Sequence, residues 1–179
     1  MSTKFFNNSP ENTLFDKFKG IAEGMPNFHS FLAVVGYFRS SGYFKLRKEL
    51  ANVQEIKILV GINIDSIFRK HNQALLMLEG DDEAREIYTK DFIQDVKDAQ
   101  YSPDVEEGIL QLCDDIVSGK LQMRIHKSKN LHAKFYLCLP QNFSPNTDGW
   151  VLMGSSNISD SGLGITQPPR YELNVAMKD

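Results

Sequence analysis

From Leu131 to Leu137, apolar residues at 131, 133, 135 and 137 alternate with His132, Lys134 and Tyr136. A strand with that period sends His132 and Lys134 out of one face while the other face enters a core. A second apolar run, Trp150-Val151-Leu152-Met153, closes on Gly154-Ser155-Ser156-Asn157. A third alternating run, Tyr171-Glu172-Leu173-Asn174-Val175, puts Glu172 and Asn174 on a shared face. Upstream, Phe28 to Phe38 is rich in aromatic and branched residues, and Glu55 to Asn63 is nearly continuous apolar text broken by Lys57; both predict strands.

Helical spacing separates these strands. Thr13 to Phe18 opens a helix ending near Gly24-Met25-Pro26, and after a turn at Ser40-Ser41-Gly42 the interval Tyr43 to Asn52 opens another. Two more helices are expected over 65–79 and 82–99, and Ser102-Pro103-Asp104 starts one that runs to Val117, with Gly119 ending it. Leu121 to Ile125 returns to strand. Strand and helix alternating without tight hairpins imply an α/β protein with a mixed, mostly parallel sheet flanked by helices. The chain reads as a single domain over 1–179, with residues 1–10 loose and residues 65–119 a helical insertion packed on the sheet.

A composition of 41% hydrophobic and 24% charged residues is that of an ordinary folded domain. No apolar stretch approaches the ~18 residues of a membrane span, and the amino terminus lacks a signal-peptide core, so a cytoplasmic protein without membrane contact is expected. Cys113 and Cys138 lack metal-ligand spacing and read as reduced core residues. The net charge of -3 does not favour a polyanionic partner, but its distribution does. Acids crowd into residues 79–115, whereas Arg124, His126, Lys127, Lys129, His132 and Lys134 form a basic run toward the third strand group.

If the runs around 131–137 and 150–157 are neighbours, His132, Lys134, Ser155 and Asn157 converge into an anion-binding cluster with an imidazole in its middle. Attack on phosphorus needs a lone pair, donors for the non-bridging oxygens and a proton for the departing oxygen. His132 supplies the first, while Lys134, Ser155 and Asn157 supply the second. Glu172 is placed to hold the other nitrogen of His132 and fix its tautomer. Taken singly, a His-x-Lys is usually a solvated strand face and a Gly-Ser-Ser-Asn a turn. Their order, each beside an apolar run, gives them joint meaning.

His132-x-Lys134 followed by Gly154-Ser155-x-Asn157 resembles the signature of the phospholipase D superfamily, whose members cleave or exchange phosphodiesters. Glu172 falls where the nuclease branch carries an acidic residue. The text Val34-Val35-Gly36-Tyr37-Phe38 and Ile56-Lys57-Ile58-Leu59-Val60-Gly61 is similar to the first strands of phospholipase D-like domains found ahead of helicases or in restriction endonucleases. The family's aspartate five positions after the lysine is replaced here by Leu139, and the connection from Lys134 to Gly154 reads as an enlarged hairpin loop.

The resemblance implies a DNA phosphodiesterase or nuclease working through a covalent phosphohistidine, with His132, Lys134, Ser155, Asn157 and Glu172 as its catalytic residues. That chemistry uses two imidazoles, and the chain carries one such motif, so the second is expected from another copy in a two-fold homodimer. Cations and amides carry the charge stabilisation, so neither metal nor cofactor is expected. The chain also reads as the amino-terminal domain of a longer protein with a helicase-like module in the remainder. Two alternatives stay open: a catalytically weak module that grips a phosphate backbone, which Leu139 makes thinkable, and a phospholipid-processing enzyme.

Overall fold

A computed structural model describes residues 2–64, 103–126 and 131–178. The expected helices over 65–79 and 82–99 lie outside the described residues. Strands β1 (Ser2–Phe6), β2 (Phe28–Phe38), β3 (Glu55–Ile64), β4 (Leu121–Ile125), β5 (Phe135–Pro140), β6 (Trp150–Gly154) and β7 (Asn174–Lys178) form a 7-stranded sheet. Their order is β1-β7-β6-β5-β2-β3-β4.

The α/β class holds, but the mostly parallel sheet does not. β2, β3 and β4 run parallel to one another, whereas β2 with β5, β5 with β6, β6 with β7 and β1 with β7 are antiparallel. The cause is connection length. β4 ends at Ile125 and β5 starts at Phe135, too soon for a crossover of about a dozen residues or more to carry the chain back to the other end of the sheet. β5 therefore starts at the end where β4 stops, and the hairpin through residues 141–149 keeps the next strand antiparallel too.

Residues 1–10 are not loose throughout. Ser2–Phe6 pairs with β7, Phe6 is buried, and the buried Asn8 side chain receives the N–H of Leu14 and donates to the carbonyl of Gly162, both at 2.9 Å. Helix α1 (Leu14–Gly24) starts on a capping box in which Thr13 Oγ1 accepts from Asp16 N at 3.0 Å and the Asp16 carboxylate accepts from Thr13 N at 2.9 Å. It buries Leu14, Phe18 and Ile21, one stripe at helical spacing.

Helix α2 spans Ser40–Glu49, so Ser40-Ser41-Gly42 is its first turn and not a separate bend. Gly42 suits that position because a Cβ there would sit 2.7 Å from the Cα of Ser159. Helix α3 (Pro103–Val117) and the short α4 (Asp160–Leu163) complete the described helices. Between α2 and α3, buried Asp115 accepts from Tyr43 Oη at 3.0 Å and from Arg47 through Nε and Nη2 at 2.5 and 3.0 Å. Burial, with the Asp115 carboxylate beside it, holds the Tyr43 hydroxyl far above its usual range, so it stays a donor.

The described helices cover one face of the sheet in a single core with Phe31, Val35, Ile56, Val60, Met123 and Leu152. Cys138 is buried in this core, Cys113 is half-buried, and both are free thiols. On the other face, Leu32, Val34, Leu59, Phe135 and Leu137 line a hollow of about 410 Å³ rimmed by Lys57 and Arg124. Among the described residues no helix is long and apolar enough to cross a membrane.

Candidate active site

The chemistry gathers at the end of the sheet where β2 and β3 finish and β5 starts, the end of an α/β sheet at which ligands usually bind. Two glycines make room there. Gly36 lies where the β2 register shifts between Val35 and Tyr37, and a Cβ on it would meet the carbonyl oxygen of Leu131 at 2.8 Å and Lys134 Nζ at 3.6 Å. A Cβ on neighbouring Gly61 would stand 2.6 Å from the Gly36 carbonyl oxygen. Bare backbone at Gly36 lets the segment carrying His132 lie this close over the strand end, and bare backbone at Gly61 lets β3 approach Gly36.

That segment corrects one expectation. Leu131–Lys134 is not part of the strand, which starts at Phe135, and the strand's inward side chains are Tyr136 and Cys138 while Phe135 and Leu137 face the hollow. The inversion is possible because Tyr136 finds a partner in the core. Its hydroxyl donates to the Ser156 carbonyl at 2.7 Å, and its ring packs edge-on against Phe18 with centroids 5.2 Å apart. Burial, with Glu172 nearby, raises the Tyr136 hydroxyl far above its normal range and keeps it protonated.

His132 is exposed and Lys134 half-buried. Lys134 Nζ donates to the His132 carbonyl at 2.7 Å and lies 3.2 Å from His132 Nδ1. An ammonium has only protons to offer, so Nδ1 is the acceptor in this arrangement. Lys134 thus folds back on the backbone of its own motif and fixes the ring beside a full positive charge.

Asn157 is brought in by the loop after β6. Ile158 bridges to Phe38 and accepts the N–H of Arg39 at 2.8 Å, and Ser159 caps α4 by accepting from Gly162 N at 3.1 Å. Between these anchors, Asn157 Oδ1 accepts the N–H of Tyr37 at 3.0 Å. The Nδ2 amide has no partner among the described residues and remains a free donor at the end of β2.

Ser155 and Glu172 form a second part of the cluster. Ser155 Oγ donates to Glu172 Oε2 and accepts from Leu173 N at 3.0 Å, and Arg170 Nε stands 3.9 Å from the other carboxylate oxygen. In this structure the carboxylate of Glu172 is engaged by Ser155. It also precedes β7, whose first residue is Asn174.

Asn174 is the residue whose structural role the sequence did not disclose. Buried at 3% exposure, it donates through Nδ2 to Ser156 Oγ at 2.9 Å and accepts from Ser156 N at 3.3 Å through Oδ1. It thereby holds the centre of the Gly154-to-Asn157 loop from below. A side chain on Gly154 would collide with the Leu173 carbonyl and with this amide, which explains the glycine.

Leu139, at the position where the resemblance expects an aspartate, pairs with Ser30 at the opposite end of β5. At ~3.3 Å per residue it lies roughly 16 Å along the chain from Lys134. Of the basic run, Arg124 lies on the face opposite the helices, and Lys127 and Lys129 are outside the described residues. Among the described residues, no three His, Cys, Asp or Glu side chains are grouped so as to hold a metal ion.

No protein-family model matches the chain, and no curated protein matches its sequence. Solved structures do match in fold. Yeast tyrosyl-DNA phosphodiesterase superposes with a TM-score of 0.50 at 12% identity, over 98% of this chain and 31% of that one. Polyphosphate kinase from Porphyromonas gingivalis gives 0.49 at 10% identity, over 98% of this chain and 23% of that one. NucT from Helicobacter pylori gives 0.43 at 12% identity, over 99% of this chain and 85% of that one. The chain thus spans less than a third of the yeast enzyme, and its mixed sheet with covering helices is a fold found in a phosphodiesterase.

Proposed function

We propose that this chain is a phosphodiesterase acting on DNA, with a covalent phosphohistidine intermediate and a site completed by a second copy of the chain. The observation that supports the reading is that His132 and Lys134 lie against Gly36 while Asn157 binds the N–H of the next residue, Tyr37. The fold shared with yeast tyrosyl-DNA phosphodiesterase supports it.

In the first step Nε2 of His132 attacks phosphorus, forming an N–P bond as the P–O bond to the leaving group breaks. His132 of the second copy protonates the departing oxygen and then takes a proton from water, whose attack breaks the N–P bond. Nε2 needs its lone pair, so the ring proton must sit on Nδ1 in the reactive tautomer. Lys134 therefore leaves Nδ1 for a phosphoryl oxygen when substrate binds. We assign the Nδ1 proton to Glu172, released as Ser155 turns its hydroxyl to another phosphoryl oxygen. Lys134, Ser155 and Asn157 Nδ2 then face the three places where charge develops. None of these steps asks for a metal ion.

The binding-only reading rests on the missing aspartate. Leu139 lies at the far end of β5 from the cluster, so its identity removes no group from the imidazole, and the catalytic reading is favoured.

The test is single-turnover hydrolysis of end-labelled DNA with and without EDTA, for the native chain and His132→Ala, with oligomeric state followed by sedimentation. Cleavage that persists in EDTA, disappears in the dimeric variant and leaves acid-labile phosphate on the native protein is expected. Binding without product, or cleavage that needs a divalent ion, would overturn the mechanism.

A further inference from the structure

We propose that Tyr171, with Arg170, is a stacking subsite for an unpaired base, so that the preferred substrate is single-stranded nucleic acid. The inference rests on the phosphodiester reading of the cluster and names its specificity. Tyr171 is 75% exposed, and the Arg170 side chain 72%. Tyr37, another tyrosine at this end of the sheet, has the guanidinium of Arg39 over its ring at 4.7 Å. Tyr171 has no ring or cation partner among the described residues.

Its placement is fixed by the cluster itself. Leu173 and Ser155 exchange hydrogen bonds, with Leu173 N donating to Ser155 Oγ at 3.0 Å and Ser155 N donating to Leu173 O at 3.1 Å. The chain is extended there, so side chains alternate: Glu172 turns in to Ser155, while Tyr171 and Leu173 turn out to solvent. On the other side, Pro168 and Pro169 limit the backbone freedom of the approach. An exposed aromatic face thus stands next to Glu172 and two residues from Leu173, both of them bonded to Ser155.

A nucleotide matches this pairing better than a protein surface does. It brings a π-face for the phenol ring and a phosphate for Arg170, and the next phosphate along the strand is of the kind the His132 cluster is built to hold. Bases in a duplex are stacked on one another and offer no free face, which is why the preference is for single strands. A second copy of the chain would use Tyr171 and Leu173 as an apolar contact but would bring no phosphate to the exposed Arg170, whose carboxylate neighbour Glu172 stands 3.9 Å away.

The experiment compares native protein, Tyr171→Ala and Tyr171→Phe. Fluorescence anisotropy gives Kd for a single-stranded oligonucleotide and its duplex, and kcat/KM is measured for the oligonucleotide and for bis(p-nitrophenyl) phosphate. Tyr171→Ala should weaken single-strand binding about ten-fold or more, Tyr171→Phe should restore it, and duplex binding should change by less than about two-fold. The ratio of kcat/KM for single-stranded DNA to that for the small ester should fall with it. Equal single-strand affinity for native protein and Tyr171→Ala, or no single-strand binding by the native protein, overturns the inference. So does dissociation of an oligomer by Tyr171→Ala, which would assign the ring to a protein contact. A native chain that binds single strands through Tyr171 but hydrolyses neither substrate overturns the phosphodiesterase reading and leaves the stacking subsite standing.

Discussion

The carboxamide oxygen of Asn157 accepts the backbone N–H of Tyr37 at 3.0 Å, joining the loop after β6 to the end of β2. An amide used in this way has its orientation decided: the oxygen is taken by backbone, and the NH2 group is left for a ligand. Asn157→Asp keeps the acceptor and replaces the donor with a carboxylate oxygen. It should lower kcat/KM for a phosphodiester by about 10²–10³-fold, the loss typical of an oxyanion donor, with little change in thermal midpoint. Steady-state kinetics beside a melting curve checks both halves.

Gly36→Ala tests whether the closeness of the His132 segment to β2 matters. The added methyl would meet the Leu131 carbonyl at 2.8 Å and Lys134 Nζ at 3.6 Å, so the segment must lift. A stability loss of about 1–3 kcal/mol is expected from overpacking. Activity should fall further, about 10²-fold, because a displacement near 1 Å is enough to spoil alignment. Kinetics on the fully folded variant separates the two.

Tyr136→Phe removes the hydroxyl that supports the Ser156 carbonyl at 2.7 Å inside the core. The orphaned carbonyl should cost about 1–3 kcal/mol in urea unfolding, with an unchanged m-value. If the midpoint does not move, the loop does not depend on this tyrosine.

Asp115→Ala leaves Arg47 and the Tyr43 hydroxyl facing each other with no acceptor between α2 and α3. Breaking such a buried pair should destabilise the fold by about 3–5 kcal/mol. At a temperature where the variant is still folded, its hydrolysis per molecule should match the native protein, since the Asp115 side chain bonds Tyr43, Arg47 and Gln111 and none of the cluster's residues. Denaturation and activity assays on one preparation decide this.

Much of this was legible in the sequence, and the failures share a cause. β2, β3 and β4 announce themselves because their inward residues have no partner but the core, so period and burial agree. At Phe135 to Cys138 they disagree: a period-two run fixes two faces without saying which goes inside, and the hydroxyl of Tyr136 found its acceptor twenty positions on, in the Ser156 carbonyl. Asn174 was readable as a polar residue on a strand, but its grip on Ser156 exists only once β6 and β7 are adjacent. Ser2–Phe6 looked loose because it is short and next to Asn7 and Asn8, and only its pairing with β7 makes it a strand. The partner of Glu172 was not legible, since Ser155 reaches it through a backbone exchange that no spacing encodes.

β2 is the strand on which two differently built halves of the sheet meet, with parallel β3 on one edge and antiparallel β5 on the other. The crossover-linked half contributes the glycine floor, and the meander of β5 to β7 with the segment leading into it contributes His132, Lys134, Ser155, Asn157 and Glu172. On the proposed mechanism, neither half carries a complete site. Recovery of catalysis during refolding should therefore lag behind the return of secondary structure, timed by the docking of β5 along β2 and not by formation of either half, as expected for contacts so distant along the chain.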